Sequence, residues 1–391
     1  MSHIVVIGAG FVGLSTARRL QKRLPRDTKI TLLDSKDQFL FTPRLIDVLQ
    51  NPRYPRAYVR ADLREIALRD GFTFIQGHVT AVDRNTRAVT YTVPTSKTRT
   101  ETLIFDILVL CQGAKPCFYA IPGTHEYALP LKSEEDVRHV HDHVERVLEE
   151  AAHSASPETR QRLLSFVTVG AGPSGVEAIC ALKLMVEARS KERYPKLIEH
   201  LSWTLLQAGP EILPGFPATL VAHTRRLLAA QGITVRTGAA VSAISLGSLT
   251  TAQGILETGC VLWTAGIEPS VIDLAPKIHT DRAGYLPVDS TLKIAPNIFG
   301  AGDVVLYREG NMIIPKNAQT AVQMSKTLSE NVLRTLAHQP LIPFYYASRG
   351  NILTMGKSGF LDLKFFSIHS RFAPFIRNLL YRFRLWQIIK G

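Results

Sequence analysis

Two glycine-rich runs in this chain have the spacing that cradles a dinucleotide pyrophosphate: Gly8-Ala9-Gly10-Phe11-Val12-Gly13 and Gly170-Ala171-Gly172-Pro173-Ser174-Gly175. Each follows an apolar, partly β-branched stretch, Ile4-Val5-Val6-Ile7 and Phe166-Val167-Thr168-Val169. In a strand–turn–helix unit such glycines allow a tight turn and a close backbone approach to the phosphates, and the helix N-terminus meets the negative charge. One fingerprint serves one dinucleotide. Two in one chain, about 160 residues apart, imply that one dinucleotide passes electrons to another. Gly8, Gly10, Gly13, Gly172 and Gly175 are therefore the first candidate cofactor-binding residues.

The elements around them repeat one grammar. After the first turn a helix is expected through Leu14-Ser15-Thr16-Ala17-Arg18-Arg19-Leu20, then a strand, Ile30-Thr31-Leu32-Leu33, ending at Asp34. That carboxylate stands about 20 residues beyond the last glycine, where an acid accepts the hydroxyls of an adenosine ribose; a turn cap is its other use. From 163 the order recurs, and the strand Leu201–Leu206 ends in Gln207 rather than an acid. A neutral amide does not repel a 2′-phosphate, which leaves NADPH open beside NADH. Two further strand-plus-turn segments, Phe105–Gly113 and Val261–Gly266, place Gly113 and Gly266 where a backbone can approach a flat or phosphorylated group. A Thr-rich stretch over 80–104 reads as a β-meander, and 116–160 as a connection containing an acidic helix, Glu134 to Glu150. Asn297-Ile298-Phe299-Gly300-Ala301-Gly302-Asp303 is a strand followed by an acid suited to a ribityl or phosphate group. Ile314-Pro315-Lys316-Asn317 then opens a helix over Ala318 to Leu336, whose N-terminus favours negative charge.

The chain has 391 residues, 46% of them hydrophobic and 20% charged, so a globular protein of two or three domains is expected. Only Met1-Ser2-His3 precedes the first strand and no apolar run reaches bilayer-spanning length, which predicts a cytosolic protein. A net charge of +13 calls for an anionic partner. Cys111, Cys117, Cys180 and Cys260 form no CxxC pair, against both a disulfide reductase and a zinc knuckle. His139 and His143 share a helix face, but in an acidic segment they read as solvated histidines, and no metal site is predicted.

The tail has its own pattern. No acid follows Asp362, whereas Lys364, Arg371, Arg377, Arg382, Arg384 and Lys390 are basic. On a helix starting after Pro374, residues Phe375, Ile376, Leu379, Leu380, Phe383 and Trp386 form one broad apolar arc, with Arg377, Arg382 and Arg384 outside it. Such a helix suits an anionic membrane interface; packing on its own domain or on a second subunit is the alternative. Nucleic acid is not expected, since no recognised module accompanies the basic residues.

These motifs together resemble the two-dinucleotide-binding-domain flavoproteins, and within them the type II NADH dehydrogenases, non-pumping NADH:quinone oxidoreductases. The resemblance covers about residues 1–360. It rests on the first fingerprint, Phe41-Thr42-Pro43-Arg44-Leu45, Gly172-Pro173-Ser174-Gly175-Val176-Glu177, Trp263-Thr264-Ala265-Gly266, Gly302-Asp303 and Ala318-Gln319-Thr320-Ala321-Val322-Gln323. It implies an α/β fold with two Rossmann-like domains and a small C-terminal segment. A discontinuous FAD domain would span 1–115 and 288–338, with an inserted NAD(P)H domain over 116–287 (its linker 116–160) and a C-terminal region over 339–391. It implies FAD contacts from Gly8, Gly10, Gly13, Asp34, Arg44, Gly113, Asp303 and Ala318, and nicotinamide-side positions at Gly172, Gly175, Gln207 and Gly266. Glu177, Gln319 and Gln323 would stand nearest the redox chemistry between nicotinamide, flavin and quinone. The expected activity is hydride transfer from NADH or NADPH to FAD and two-electron reduction of a membrane quinone. The enzyme would lie peripherally on the cytoplasmic side of the cell membrane, as part of a respiratory chain, with a homodimer left open. Three departures stand out: Asp34 where a longer Glu is commoner, Gln207 where NADH-specific members place an acid, and Lys316 beside the AQ motif, either paired at the surface or polarising a quinone oxygen. Rival readings are a sulfide:quinone or ferredoxin-type reductase, and a slowly turning FAD/NAD(P)H redox sensor.

Overall fold

The computed structural model describes residues 2–390 apart from 26, 95, 311, 364 and 365, and omits the side chains of 96–98, 363, 366 and 367. Lys364 of the basic tail thus lies outside the described residues.

Two sheets, parallel except at the edge strand Lys293–Ala295, organise the molecule, because their buried central strands need cover on both faces. In the first, the spatial order is Lys293–Ala295, Ile298–Gly300, Ile107–Leu110, His3–Ile7, Lys29–Asp34, Thr73–Gln76. Ile4, Val5 and Val6 are fully buried, as their unbroken β-branched run requires. The chain leaves this sheet after Ile107–Leu110 and re-enters beside it at Ile298–Gly300, in parallel. In the second, the order is Ala128–Pro130, Cys260–Trp263, Ser165–Val169, Ser202–Leu206, Ile233–Arg236. In both sheets the glycine-bearing strand has its second strand on one side and a late strand on the other. That reversal of strand order opens a crevice at the carboxyl ends, where α/β sheets bind ligands.

The Thr-rich meander is present as His78–Asp83, Ala88–Val93 and Ser96–Ile104, with Asp273–Ala275 as a fourth strand. Segment 116–160 is more than a connection. Ala128–Pro130 is the edge strand of the second sheet, and the helix Glu134–His153 buries Val137, Val140, Val144, Val147 and Leu148 in the core beneath it. A capping box starts that helix: Ser133 Oγ accepts from the Asp136 N–H, and the Asp136 carboxylate accepts from the Ser133 N–H. Leu45, Val48 and Leu49 of the helix Leu45–Gln50 join this same core, together with Leu353, Met355 and Phe360 of a C-terminal three-stranded sheet. The second core is therefore closed by segments far from it in sequence.

The C-terminal helix Ala373–Ile389 lies along the protein with Ala373, Arg377, Leu385 and Ile388 buried. Phe372, Phe375, Leu379, Phe383 and Trp386, spaced three or four apart, are each at least half exposed. Arg18, itself buried and paired with Asp70, donates to the carbonyl of Ile388, and Arg69 donates to that of Ile389. These guanidinium groups satisfy carbonyls that a helix terminus leaves without partners. No helix among the described residues is long and apolar enough to cross a membrane.

Candidate functional site

The two crevices match almost atom for atom. A Cβ on Gly13 would overlap the carbonyl oxygen of Gly8 and stand 2.9 Å from Cys111 Sγ; one on Gly175 would overlap that of Gly170 and stand 2.8 Å from Thr264 Oγ1. Only glycine lets each helix come this close to its strand. Cys111 Sγ donates to the carbonyls of Ile7 (3.1 Å) and Gly8 (3.4 Å), and Thr264 Oγ1 to those of Val169 (2.8 Å) and Gly170 (3.0 Å). Cys111 is thus a buried clip, and burial pushes its thiol well above the ordinary range. All four cysteines are free thiols.

Asp34 and Gln207 also do equivalent work. Asp34 Oδ2 accepts from the Ala9 N–H at 2.6 Å, and Gln207 Oε1 from the Ala171 N–H at 2.9 Å. Both residues brace the middle of the glycine turn, so the amide replaces the carboxylate without loosening the loop. Space remains above Gly10, Gly113 and Gly172, where nothing stands within 4 Å of an added Cβ. That open floor over a helix N-terminus fits a dinucleotide in each crevice.

Beyond the first crevice, Gly302, Asp303, Lys316, Asn317 and Thr320 line a narrow cavity. Asp303 pairs with Lys132 at 3.5 Å. The helix Ala318–Leu336 is capped by the Asn317 side chain, which accepts from the Thr320 N–H, while Thr320 Oγ1 is buried without a partner. Lys316 is half-buried and its ammonium is held by backbone carbonyls rather than by a surface acid. Its ammonium donates to the carbonyls of Asp303 and Val305 and sits 3.9 Å from the Tyr285 ring centroid. Burial draws it down to about 8, against the pull of Asp303 and Asp281.

Glu177 stands elsewhere, on the helix Pro173–Arg193, beside a cavity of about 190 Å³ lined by Arg44, Asp47, Tyr54, Thr354, Arg377 and Asn378 among others. Glu177 Oε1 accepts from the Thr354 N–H (2.8 Å) and hydroxyl (2.7 Å) and from Arg377 (3.3 Å). Arg377 also pairs with Asp47. Arg44 pairs with Asp47 at 3.0 Å and donates to the side-chain and backbone oxygens of Asn378. Burial pushes the Glu177 carboxyl above the ordinary carboxylate value, while Arg377 and the bonds from Thr354 pull it back. Two arginines facing two carboxylates close the charge balance, yet Nε of Arg44 and of Arg377 are buried without an acceptor.

Arg377 therefore points inward, contrary to its place among the solvent-facing basic residues of the tail. Arg44, expected at the FAD, spends its hydrogen bonds on Asp47 and the C-terminal helix. Gln319 and Gln323 are not in this cavity. Gln323 exchanges two hydrogen bonds with the backbone of Ala347, and Gln319 bonds the Arg349 N–H and the Gly350 carbonyl. The ribbon they grip runs on into the strand Asn351–Met355, whose Thr354 holds Glu177. All three expected catalytic residues are thus strung along one segment, 347–354. Of the two histidines expected to be solvated, His139 is exposed but His143 is not: its ring Nε2 meets the Gly259 carbonyl (2.7 Å), as that of His141 meets the Leu49 carbonyl (2.9 Å), and burial lowers both of these rings. No metal-binding cluster occurs among the described residues.

Comparison with known proteins gives the same two-domain, dinucleotide-binding architecture. Residues 2–325 match the model of a family described as pyridine nucleotide-disulphide oxidoreductase. The chain belongs to that family. Members use FAD and a pyridine nucleotide, which accounts for two crevices in one chain. Among curated relatives, the type II NADH:quinone oxidoreductase Ndh of Mycobacterium tuberculosis is 28% identical, over 91% of this chain and 78% of its own. The demethylphylloquinone reductase NdbB of Synechocystis sp. is also 28% identical, over 98% and 93%. Among solved structures, NDH2 from Plasmodium falciparum superposes with a TM-score of 0.87 at 19% identity, covering 100% of this chain and 95% of that one. A sulfide:quinone oxidoreductase from Aquifex aeolicus gives 0.81, also at 19%, over 100% and 92%. At such identities the structural likeness speaks for the fold alone.

Proposed function

We propose that the protein is an FAD-dependent NAD(P)H:quinone oxidoreductase that works at a membrane surface without pumping protons. The first crevice takes FAD, through Gly8, Gly10, Gly13, Asp34, Gly113 and the 302–320 turn. The second takes NAD(P)H, through Gly172, Gly175, Gln207 and Gly266. Bound FAD supplies the redox chemistry, accepting hydride from NAD(P)H and delivering two electrons to quinone.

The observation that carries the quinone reading is the C-terminal helix itself. Its inner face seals the cavity at Glu177 with Arg377 and Asn378, while its outer face is a continuous row of exposed aromatic and aliphatic side chains. A polar redox pocket and a lipid-facing surface are two sides of one element, as a lipid-dissolved substrate requires. Arg44 and Arg377, whose Nε–H groups have no acceptor, line the cavity as donors for a quinone oxygen, and Arg377 pulls the Glu177 carboxyl back toward its ionised form against the effect of burial. Gln319 and Gln323 act through the ribbon, fixing Thr354 and hence the Glu177 carboxylate. Sulfide chemistry lacks its thiols: no cysteine follows Cys260, and Cys260 is buried.

Attachment is peripheral and on the cytoplasmic face. The test is stopped-flow absorbance at the flavin band, mixing purified protein first with NADH or NADPH and then with a short-chain quinone. Rapid bleaching followed by quinone-driven recovery is expected, and the two bleaching rates report what Gln207 admits. Bleaching without recovery points to a sensor or another acceptor and removes the quinone reading.

A further inference from the structure

The two crevices differ above one pair of glycines, Gly113 and Gly266. Above Gly113 the space is open, whereas above Gly266 it is filled by the phenol of Tyr119: a Cβ there would overlap the hydroxyl and stand 3.0 Å from Cζ. The loop that carries Tyr119 is pinned at its base. Ala114–Pro116 pairs antiparallel with Ile267–Pro269, the Cys117 N–H donates to the Gly266 carbonyl (3.2 Å), and Trp263 Nε1 donates to the Cys117 carbonyl (2.8 Å). Phe118 packs on His125 and Trp263, with ring centroids 4.5 and 6.0 Å away. From this base the chain turns through Tyr119 and Ala120, both left-handed at φ +52°. Non-glycine residues avoid that region at a cost of about 1 kcal/mol or more each, so packing at the base imposes the turn that brings the phenol over Gly266. The ring itself is loosely held. It is 61% exposed, and among the described residues its hydroxyl makes no hydrogen bond.

Gly266 lies just past the strand Cys260–Trp263, across the switch point from Ser165–Val169. Gln207 ends the strand on the opposite side, where the adenosine ribose of a dinucleotide belongs. The other half of the dinucleotide must then extend over Gly266. We propose that Tyr119 is a displaceable cover of this half of the pyridine-nucleotide crevice, which the nicotinamide end swings aside to reach the Gly266 backbone. The inference rests on the second crevice taking NAD(P)H. A ligand that must displace a cover binds with an affinity reduced by the fraction of molecules already open. An adenosine-only ligand, which stops at the pyrophosphate, meets no such penalty.

The test titrates NAD⁺ and ADP separately into the FAD-loaded protein by calorimetry, using wild type, Tyr119→Ala and Tyr119→Phe. With the cover removed, NAD⁺ should bind about fivefold tighter in Tyr119→Ala while ADP is unchanged, and Tyr119→Phe should fall between. Unchanged or weaker NAD⁺ binding overturns the cover, since the ring would then be a bystander or a stacking partner. Equal tightening of NAD⁺ and ADP overturns it too, as a general loosening of the loop. If wild type binds FAD but neither NAD⁺ nor ADP, the assignment of the second crevice fails, and the cover with it.

Discussion

Arg377 joins two carboxylates on different helices, Asp47 and Glu177, from a third helix at the far end of the chain. Breaking one member of a buried ion cluster leaves a charge uncompensated, which costs about 3 kcal/mol or more. Arg377→Gln should therefore lower the melting temperature, and by an amount that depends on pH. Burial already raises Glu177, and removing Arg377 raises it further. A carboxyl whose folded pKa exceeds its unfolded value holds its proton longer in the folded state, so stability falls as pH rises from the ordinary carboxylate value through the folded one. The variant should lose more at about pH 8 than at about pH 5. Equal losses at both would mean that Arg377 does not set the ionisation of Glu177.

Helix amphipathicity explains why the C-terminal element has two faces, but its register on the protein comes from its ends. Arg377 and Asn378 lock the N-terminal half onto Asp47, Glu177 and Arg44, while Arg18 and Arg69 hold the last carbonyls. Arg18→Gln removes charged hydrogen bonds worth about 1.5–3 kcal/mol each from a terminus that has few other ties. Amide hydrogen exchange over 380–389 should accelerate, while exchange in the two parallel sheets stays slow. Acceleration spread across both sheets would instead make Arg18 a determinant of the whole core. The same logic applies to the ribbon 347–354, which runs into the strand Asn351–Met355. Two glutamines and one threonine turn it into the support of a carboxylate.

For the whole molecule, the exposed row Phe372, Phe375, Leu379, Phe383 and Trp386 is a single surface opposite the cavity at Glu177. The net charge of +13 adds a long-range attraction to an anionic bilayer. Wild type should co-sediment with vesicles containing anionic phospholipid, and Phe375→Glu combined with Phe383→Glu should abolish this while FAD stays bound. Retained sedimentation would place the membrane contact elsewhere. A wild type that ignores vesicles yet sediments as a dimer in the ultracentrifuge would assign the apolar row to a second copy of the chain.

How much of this was legible in sequence follows from what each feature depends on. The glycine turns, their strands and the ends at Asp34 and Gln207 are local: chain stereochemistry and a fixed strand–turn–helix spacing determine them, so both crevices could be found from residues alone. The helix Ala318–Leu336 appears with the bounds read from the sequence. A helical wheel ranks Arg377 by its own helix alone, which sets it with the solvent-facing basic residues. Only the packing of the tail against residues 44–47 and 177 turned one arginine inward. His141 and His143 became half-buried donors to backbone carbonyls, Lys316 a clip, and Tyr119 a cover for the same reason. Each is defined by a partner at long sequence separation, and sequence periodicity carries no information about which distant surface a side chain will meet. Chemistry written in local spacing was determined by the sequence; the cavity, its charge balance and its roof were decided by tertiary packing.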